Sequence, residues 1–113
     1  MPIINEQTGR ALLRERFSAA GLNIQEDFPF CEGSVSFSID GYDPAARIGY
    51  EYITTEAGDR AELTPEVLRG LEALLGEGRV QVLLIDELDV SDAEGLGRAA
   101  ERFLAEARKR SAS

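Results

Sequence analysis

Between Thr8 and Ala20 the apolar positions Ala11 or Leu12, Leu13, Phe17 and Ala20 recur at the spacing of one helix face, and Gly21 follows where a helix stops. The period then changes. Ile24, Phe28 and Phe30 are separated by even numbers, which predicts a strand over Leu22–Phe30 with Cys31-Glu32-Gly33 as the turn after it. From Ser34 to Asp40 the alternation is strict, with Val35, Phe37 and Ile39 on one face and three serines and Asp40 on the other. Gly41–Arg47, rich in turn formers, reads as a loop. Ile48–Thr54 alternates again, Ile48, Tyr50 and Tyr52 against Gly49, Glu51 and Ile53. These three strands are expected to form an antiparallel meander.

The next stretch, Thr54–Leu63, is polar and ends at Thr64-Pro65-Glu66, a helix start with proline at its first position. Val67, Leu68, Leu71, Leu74 and Leu75 give that helix a broad apolar stripe, and Gly76 or Gly78 ends it. Val80–Ile85 is nearly continuous in apolar residues, the pattern of a strand covered on both faces, central in its sheet and parallel to a neighbour. Ser91-Asp92-Ala93-Glu94 reads as a capping box, and Leu96, Ala100, Phe103 and Ala107 form the inner stripe of a last helix. The order αβββαβα, with its last strand between two helices, predicts an α/β fold: a three-layer αβα sandwich on a mixed four-stranded sheet. At 113 residues one domain is expected over 1–113.

Composition narrows the chemistry. The formal charge is −9, and the one basic cluster is Arg108-Lys109-Arg110 near the end, so a phosphate-binding face for nucleic acid is disfavoured. An acidic surface keeps a protein soluble and steers it towards a basic protein partner. The chain has no histidine, which removes Ser-His-Asp and Cys-His nucleophiles and every zinc site needing imidazole. Cys31 is the only cysteine. It has no CxxC partner, so it reads as a small buried or turn residue in a reducing compartment. MPIINEQTGR lacks the pattern of a secretory leader, and the run Val82–Ile85 is far short of the roughly 20 residues a membrane span requires. A cytoplasmic location is expected, and the eleven arginines to one lysine point to a GC-rich bacterial genome.

Asp40 closes one predicted strand and Glu51 lies in the middle of the next. If the strands pair, both carboxylates reach the same part of the sheet, and converging carboxylates are what Mg²⁺ or Mn²⁺ requires. With this pair placed, the order αβββαβα resembles the core of the restriction-endonuclease-like, PD-(D/E)xK, nucleases. Ser38-Ile39-Asp40-Gly41 stands at the first motif, Glu51-Tyr52-Ile53 at the (D/E)xK position, and Glu15 on the first helix is a further acid. The family's lysine falls on Ile53, and no lysine precedes Lys109. The resemblance therefore implies a fold that has lost the cation needed to stabilise a developing phosphorane. Beside it stands a structural reading: Asp40 as a turn aspartate before Gly41, and Glu51 paired with Arg47 or with an arginine of the first helix.

Other features point to contacts rather than catalysis. Asp86, Glu87 and Asp89 follow the end of the last strand, and no register of the run Asp86–Glu94 supplies the glycine and alternating acids of an EF-hand. Gly95 and Gly97 suit close packing at the start of the last helix, where Asp89, Asp92 and Glu94 would repel a phosphate. Tyr42 is expected in the loop, exposed, as an anchor for a partner with Asp43 beside it. Met1–Ile4 and Phe28–Phe30 are apolar flanks suited to covering an edge strand, and a homodimer through the meander edge is a further expectation. The reading is a non-catalytic, acidic protein-interaction module needing no cofactor, with a metal-dependent nuclease or phosphodiesterase using Asp40, Glu51 and Glu15 as the alternative.

Overall fold

In the computed structural model, which describes residues 6–33, 35–54, 64–90 and 92–112, the elements follow the expected order. They are α1 (Glu6–Ala19), β1 (Gln25–Glu32), β2 (Val35–Asp43), β3 (Ile48–Ile53), α2 (Pro65–Gly76), β4 (Gln81–Asp86), a 3-10 turn (Glu87–Asp89) and α3 (Ala93–Ala112). The expectations placed on Met1–Ile4, Ser34, Ser91 and most of the polar stretch, at 55–63, fall outside the described residues. The strands form one mixed sheet in the order β1-β2-β3-β4, antiparallel from β1 to β3 and parallel between β3 and β4.

Two apolar clusters lie on this sheet. One joins Leu13 and Phe17 of α1 and Leu96, Ala100 and Ala107 of α3 to Ile48, Tyr50, Tyr52 and Ile85. The other joins Leu71 and Leu74 of α2 to Phe30, Val35, Phe37, Ile39 and Val82, with Ile53 packed against it. The alternation of β3 thus sorts its residues between two cores, because strand side chains point to opposite faces in turn. In β4 the same alternation places Val82 and Leu84 in one cluster and Leu83 and Ile85 in the other.

β4 corrects one expectation. It is parallel to its neighbour, as its apolar run predicts, but it stands at the sheet's edge and not at its centre. An unbroken apolar run reports cover on the two faces of a strand; it carries no information about neighbours along the sheet.

Helix ends follow local chemistry. α1 stops at Gly21, φ 94°, where Gly21 N–H donates to Ser18 carbonyl at 3.0 Å and Leu22 N–H to Phe17 carbonyl at 3.3 Å. Gly78, φ 74°, ends α2 in the same way, through Gly78 N–H to Leu75 carbonyl and Arg79 N–H to Leu74 carbonyl, both at 3.1 Å. Both are left-handed caps of the kind glycine adopts without strain. Thr64 caps α2, its hydroxyl accepting from Val67 N–H at 3.3 Å. At the start of α3, Asp92 Oδ1 accepts from Gly95 N–H at 2.7 Å, and Glu94 pairs with Arg98 at 2.7 Å.

The largest departure is in β2. Gly41–Asp43 continues the strand, where a loop was expected over Gly41–Arg47. Tyr42 is 4% exposed and packs against the rings of Phe28 and Phe30, at centroid distances of 5.2 and 5.4 Å. The exposed anchor expected at this position is therefore absent. Gly41 is a packing glycine: a Cβ there would stand 2.2 Å from Cζ of Tyr50. The turn belongs to Asp43, whose Oδ1 accepts from Ala45 and Ala46 N–H at 3.0 and 3.1 Å. Cys31 and Glu32, expected in a turn, extend β1, and Cys31 is exposed.

Candidate functional site

Asp40 and Glu51 do converge, and the reason is a break in the ladder. β2 and β3 pair at Asp43↔Ile48, Tyr42↔Gly49 and Gly41↔Tyr50, so one more step would set Asp40 opposite Glu51. On the other side, β1 pairs Glu26↔Gly41 and then Phe28↔Ile39, passing over Asp27 and Asp40. Asp27 has φ 50°, a left-handed conformation that interrupts regular pairing. Ile39 and Tyr42, three residues apart, lie in the same cluster, so the side-chain phase shifts between them, as it does at a bulge.

In the gap the two carboxylates take over the role of backbone carbonyls. Asp40 N–H donates to Glu51 Oε1 at 2.7 Å, and Tyr52 N–H donates to Asp40 Oδ2 at 2.8 Å. Asp40 is 5% exposed and Glu51 1%. Buried carboxylates need donors or counter-charge, and Arg10 of α1 supplies the latter. Its Nε is 3.6 Å from Asp40 Oδ1, and its Nη2 donates to Asp40 carbonyl at 3.3 Å and to Asp27 Oδ1 at 2.8 Å. Of the arginines expected to pair with Glu51, the helix one comes to this junction, on Asp40. Arg47 is turned elsewhere, onto Glu32 and, through Nε at 2.6 Å, onto Arg79 carbonyl.

Chemically the arrangement is a two-way clasp. Asp40 Oδ2, Asp40 Oδ1 and Glu51 Oε1 each already face a donor. Glu15, the third acid of the nuclease alternative, is exposed on α1, off the Leu13–Phe17 face. Among the described residues no group of three or more Cys, Asp or Glu side chains gathers where it could hold a metal ion. A hard cation requires several open oxygens converging at 2–2.6 Å, and three of the four carboxylate oxygens here already face a donor.

Tyr50 lies beside the clasp, fully buried, and its hydroxyl has no hydrogen-bond partner among the described residues. Burial pushes its phenol far above the ordinary value, with Glu26 and Asp40 adding and Arg10 and Arg14 opposing. Tyr52 is raised by burial as well, and then by Glu87 and Asp86 at the end of β4. Burial would also raise Asp43, but the N–H groups of Asn23, Ala46 and Ala45 outweigh it and hold the carboxyl below its ordinary value. Asp43 is thus committed to its own turn.

The acidic turn after β4 presents a different surface. Asp86 caps it, Oδ1 accepting from Leu88 N–H at 2.9 Å. That geometry turns Leu88 outwards, 70% exposed, between Glu87 and Asp89. Leu88 is the one large apolar side chain found exposed among the described residues. Asp86, Glu87 and Asp89 were expected at a surface and the leucine among them was not; an apolar residue flanked by acids straight after a strand is the signal. Asp27 was not among the residues expected at the junction. The parity shift from Ile39 to Tyr42 marks the break it occupies. No protein-family model, no curated protein and no solved structure matches the chain.

Proposed function

We propose that this chain is a non-catalytic, acidic protein-interaction module that presents the turn Glu87–Asp89 to a partner. The observation that carries the reading is Leu88, 70% exposed on a turn whose shape Asp86 fixes. An apolar knob ringed by carboxylates suits a partner with a small apolar pocket in a basic surface, the pocket giving affinity and the charge steering encounter. Asp86, Glu87 and Asp89 remain in the proposed surface and Leu88 joins them. Tyr42 and Asp43 leave it, the first buried and the second occupied by its turn. The two apolar clusters support the three-layer order, and the setting we propose is a bacterial cytoplasm.

The Asp40–Glu51 junction supports the non-catalytic half of the reading, since Asp40 Oδ2 and Glu51 Oε1 satisfy backbone donors that would otherwise be buried without partners. A restriction-endonuclease-like ancestry with lost activity is compatible with Ile53 at the lysine position. The test is capture from a low-salt bacterial lysate with wild-type chain and Leu88→Asp side by side, followed by thermal melts with and without Mg²⁺ or Mn²⁺. The reading expects one protein retained by wild type, lost with Leu88→Asp and weakened by salt, and melts that ignore both metals. Equal retention by both proteins, or a metal-dependent rise in melting temperature that Glu51→Ala abolishes, would overturn it.

A further inference from the structure

The two edges of the sheet differ. β1 carries Pro29, the left-handed Asp27 and the charges of Glu26 and Glu32, the devices that keep an edge from pairing with another chain. β4 carries neither proline nor charge from Val82 to Ile85. Beside it α3 runs past, and a groove of about 430 Å³ lies between them, floored by Leu83, Ala99, Phe103 and Ala107.

The walls of this groove carry opposite charges in a particular order. Ala99, Arg102, Phe103 and Glu106 fall at i, i+3, i+4 and i+7, one stripe of α3. Arg102 and Glu106 are a turn apart, with the arginine first, the weaker order for an intrahelical pair. Among the described residues Arg102 makes no ion pair, and Glu106 reaches only the exposed Lys109 at 3.7 Å. A plus and a minus separated along one helix face form a self-complementary surface: under a two-fold axis each meets its opposite on the other copy.

We infer that the β4–α3 groove is a homodimer face, in which α3 crosses α3 of a second copy antiparallel and Arg102 meets Glu106 of that copy twice. The small, half-buried Ala99 lets the helices approach, and Phe103, already stacked on Phe17 at 5.8 Å, closes the floor. This inference is independent of the proposed contact at Leu88, which lies on a different surface. The net charge of −9 on each copy opposes association at low salt, and ionic strength near 0.15 M screens it beyond about 8 Å.

Charge swaps test it, because at a two-fold interface changing both residues of the chain restores opposite charges between the copies. Sedimentation equilibrium of the full chain at physiological ionic strength should show a monomer–dimer equilibrium. Arg102→Glu alone and Glu106→Arg alone should each weaken dimerisation at least about tenfold by setting like charges opposite, and the Arg102→Glu/Glu106→Arg double variant should restore it. Both positions are exposed, so far-UV circular dichroism should be unchanged throughout. A monomer at all concentrations, single swaps that dimerise as wild type, or a double swap that fails to restore the dimer would each overturn the inference.

Discussion

Replacing Asp40 with alanine tests whether the buried carboxylates hold the sheet or wait for a ligand. The substitution removes the acceptor of Tyr52 N–H, now at 2.8 Å, at a position where β3 is buried. A buried N–H left without an acceptor costs about 1–3 kcal/mol. Arg10 loses a carboxylate at 3.6 Å but keeps Asp27 at 2.8 Å, so its share is about 0.5–1 kcal/mol after solvent screening. The sum, about 1.5–4 kcal/mol, is a large part of the roughly 5–15 kcal/mol that stabilises a domain. At a urea slope of roughly 1.5 kcal/mol/M the midpoint should fall by about 2 M with the slope unchanged. Asp40→Asn keeps an amide oxygen for Tyr52 and should lose about 1 kcal/mol, since a neutral acceptor is weaker than an ionised one. The opposite sign is the refuting result. Two carboxylates held together for a metal repel each other in its absence, so removing one would stabilise the apo chain. An alanine variant as stable as wild type, or more so, would refute the clasp.

Gly41→Ala should destabilise by about 3 kcal/mol, because its Cβ meets the Tyr50 ring at 2.2 Å in a filled core; urea melts check this. All three tyrosines have phenols raised by burial, so absorbance at 295 nm should show no ionisation at the ordinary value of 10.0 while the fold persists. Raised folded values stabilise the protein below pH 10 and lose that contribution as pH rises further, so phenolate should appear together with unfolding. For Asp43 the sign reverses. Its carboxyl lies below 3.8 in the fold, so its contribution is complete above that value and is lost as pH falls through the lowered one. The stability gap between wild type and Asp43→Asn should shrink in that acid range, and a constant gap would contradict the assignment.

The parts of the fold legible in the sequence were those where one physical demand acts on each residue. β3 alternates because each side chain enters one of two cores, and Pro65 begins α2 because the missing N–H costs nothing there. Legibility failed where one residue type serves two demands. Gly41 and Asp43 carry turn chemistry, yet Gly41 makes room for a tyrosine ring, and the turn itself starts only at Asp43. The convergence of Asp40 and Glu51 followed from strand order and spacing. Their use did not, since it depends on the left-handed backbone at Asp27 and on α1 lying where Arg10 meets Asp40. A helix arginine was one of two expected partners, but nothing in residue type announces the left-handed backbone at Asp27. Leu88 was hidden for another reason: exposure is set by the cap at Asp86, a property of geometry and not of the leucine.

The most direct test of the central claim separates the turn from the clasp in one binding experiment. With the captured partner purified, its dissociation constant should be measured for wild type, Leu88→Ala and Asp40→Asn at fixed salt. Leu88→Ala should weaken binding at least about tenfold, the loss of an apolar anchor that binding buries, while Asp40→Asn should bind as wild type despite its lower stability. Binding that survives Leu88→Ala and collapses with Asp40→Asn would contradict it and place the function at the buried carboxylates.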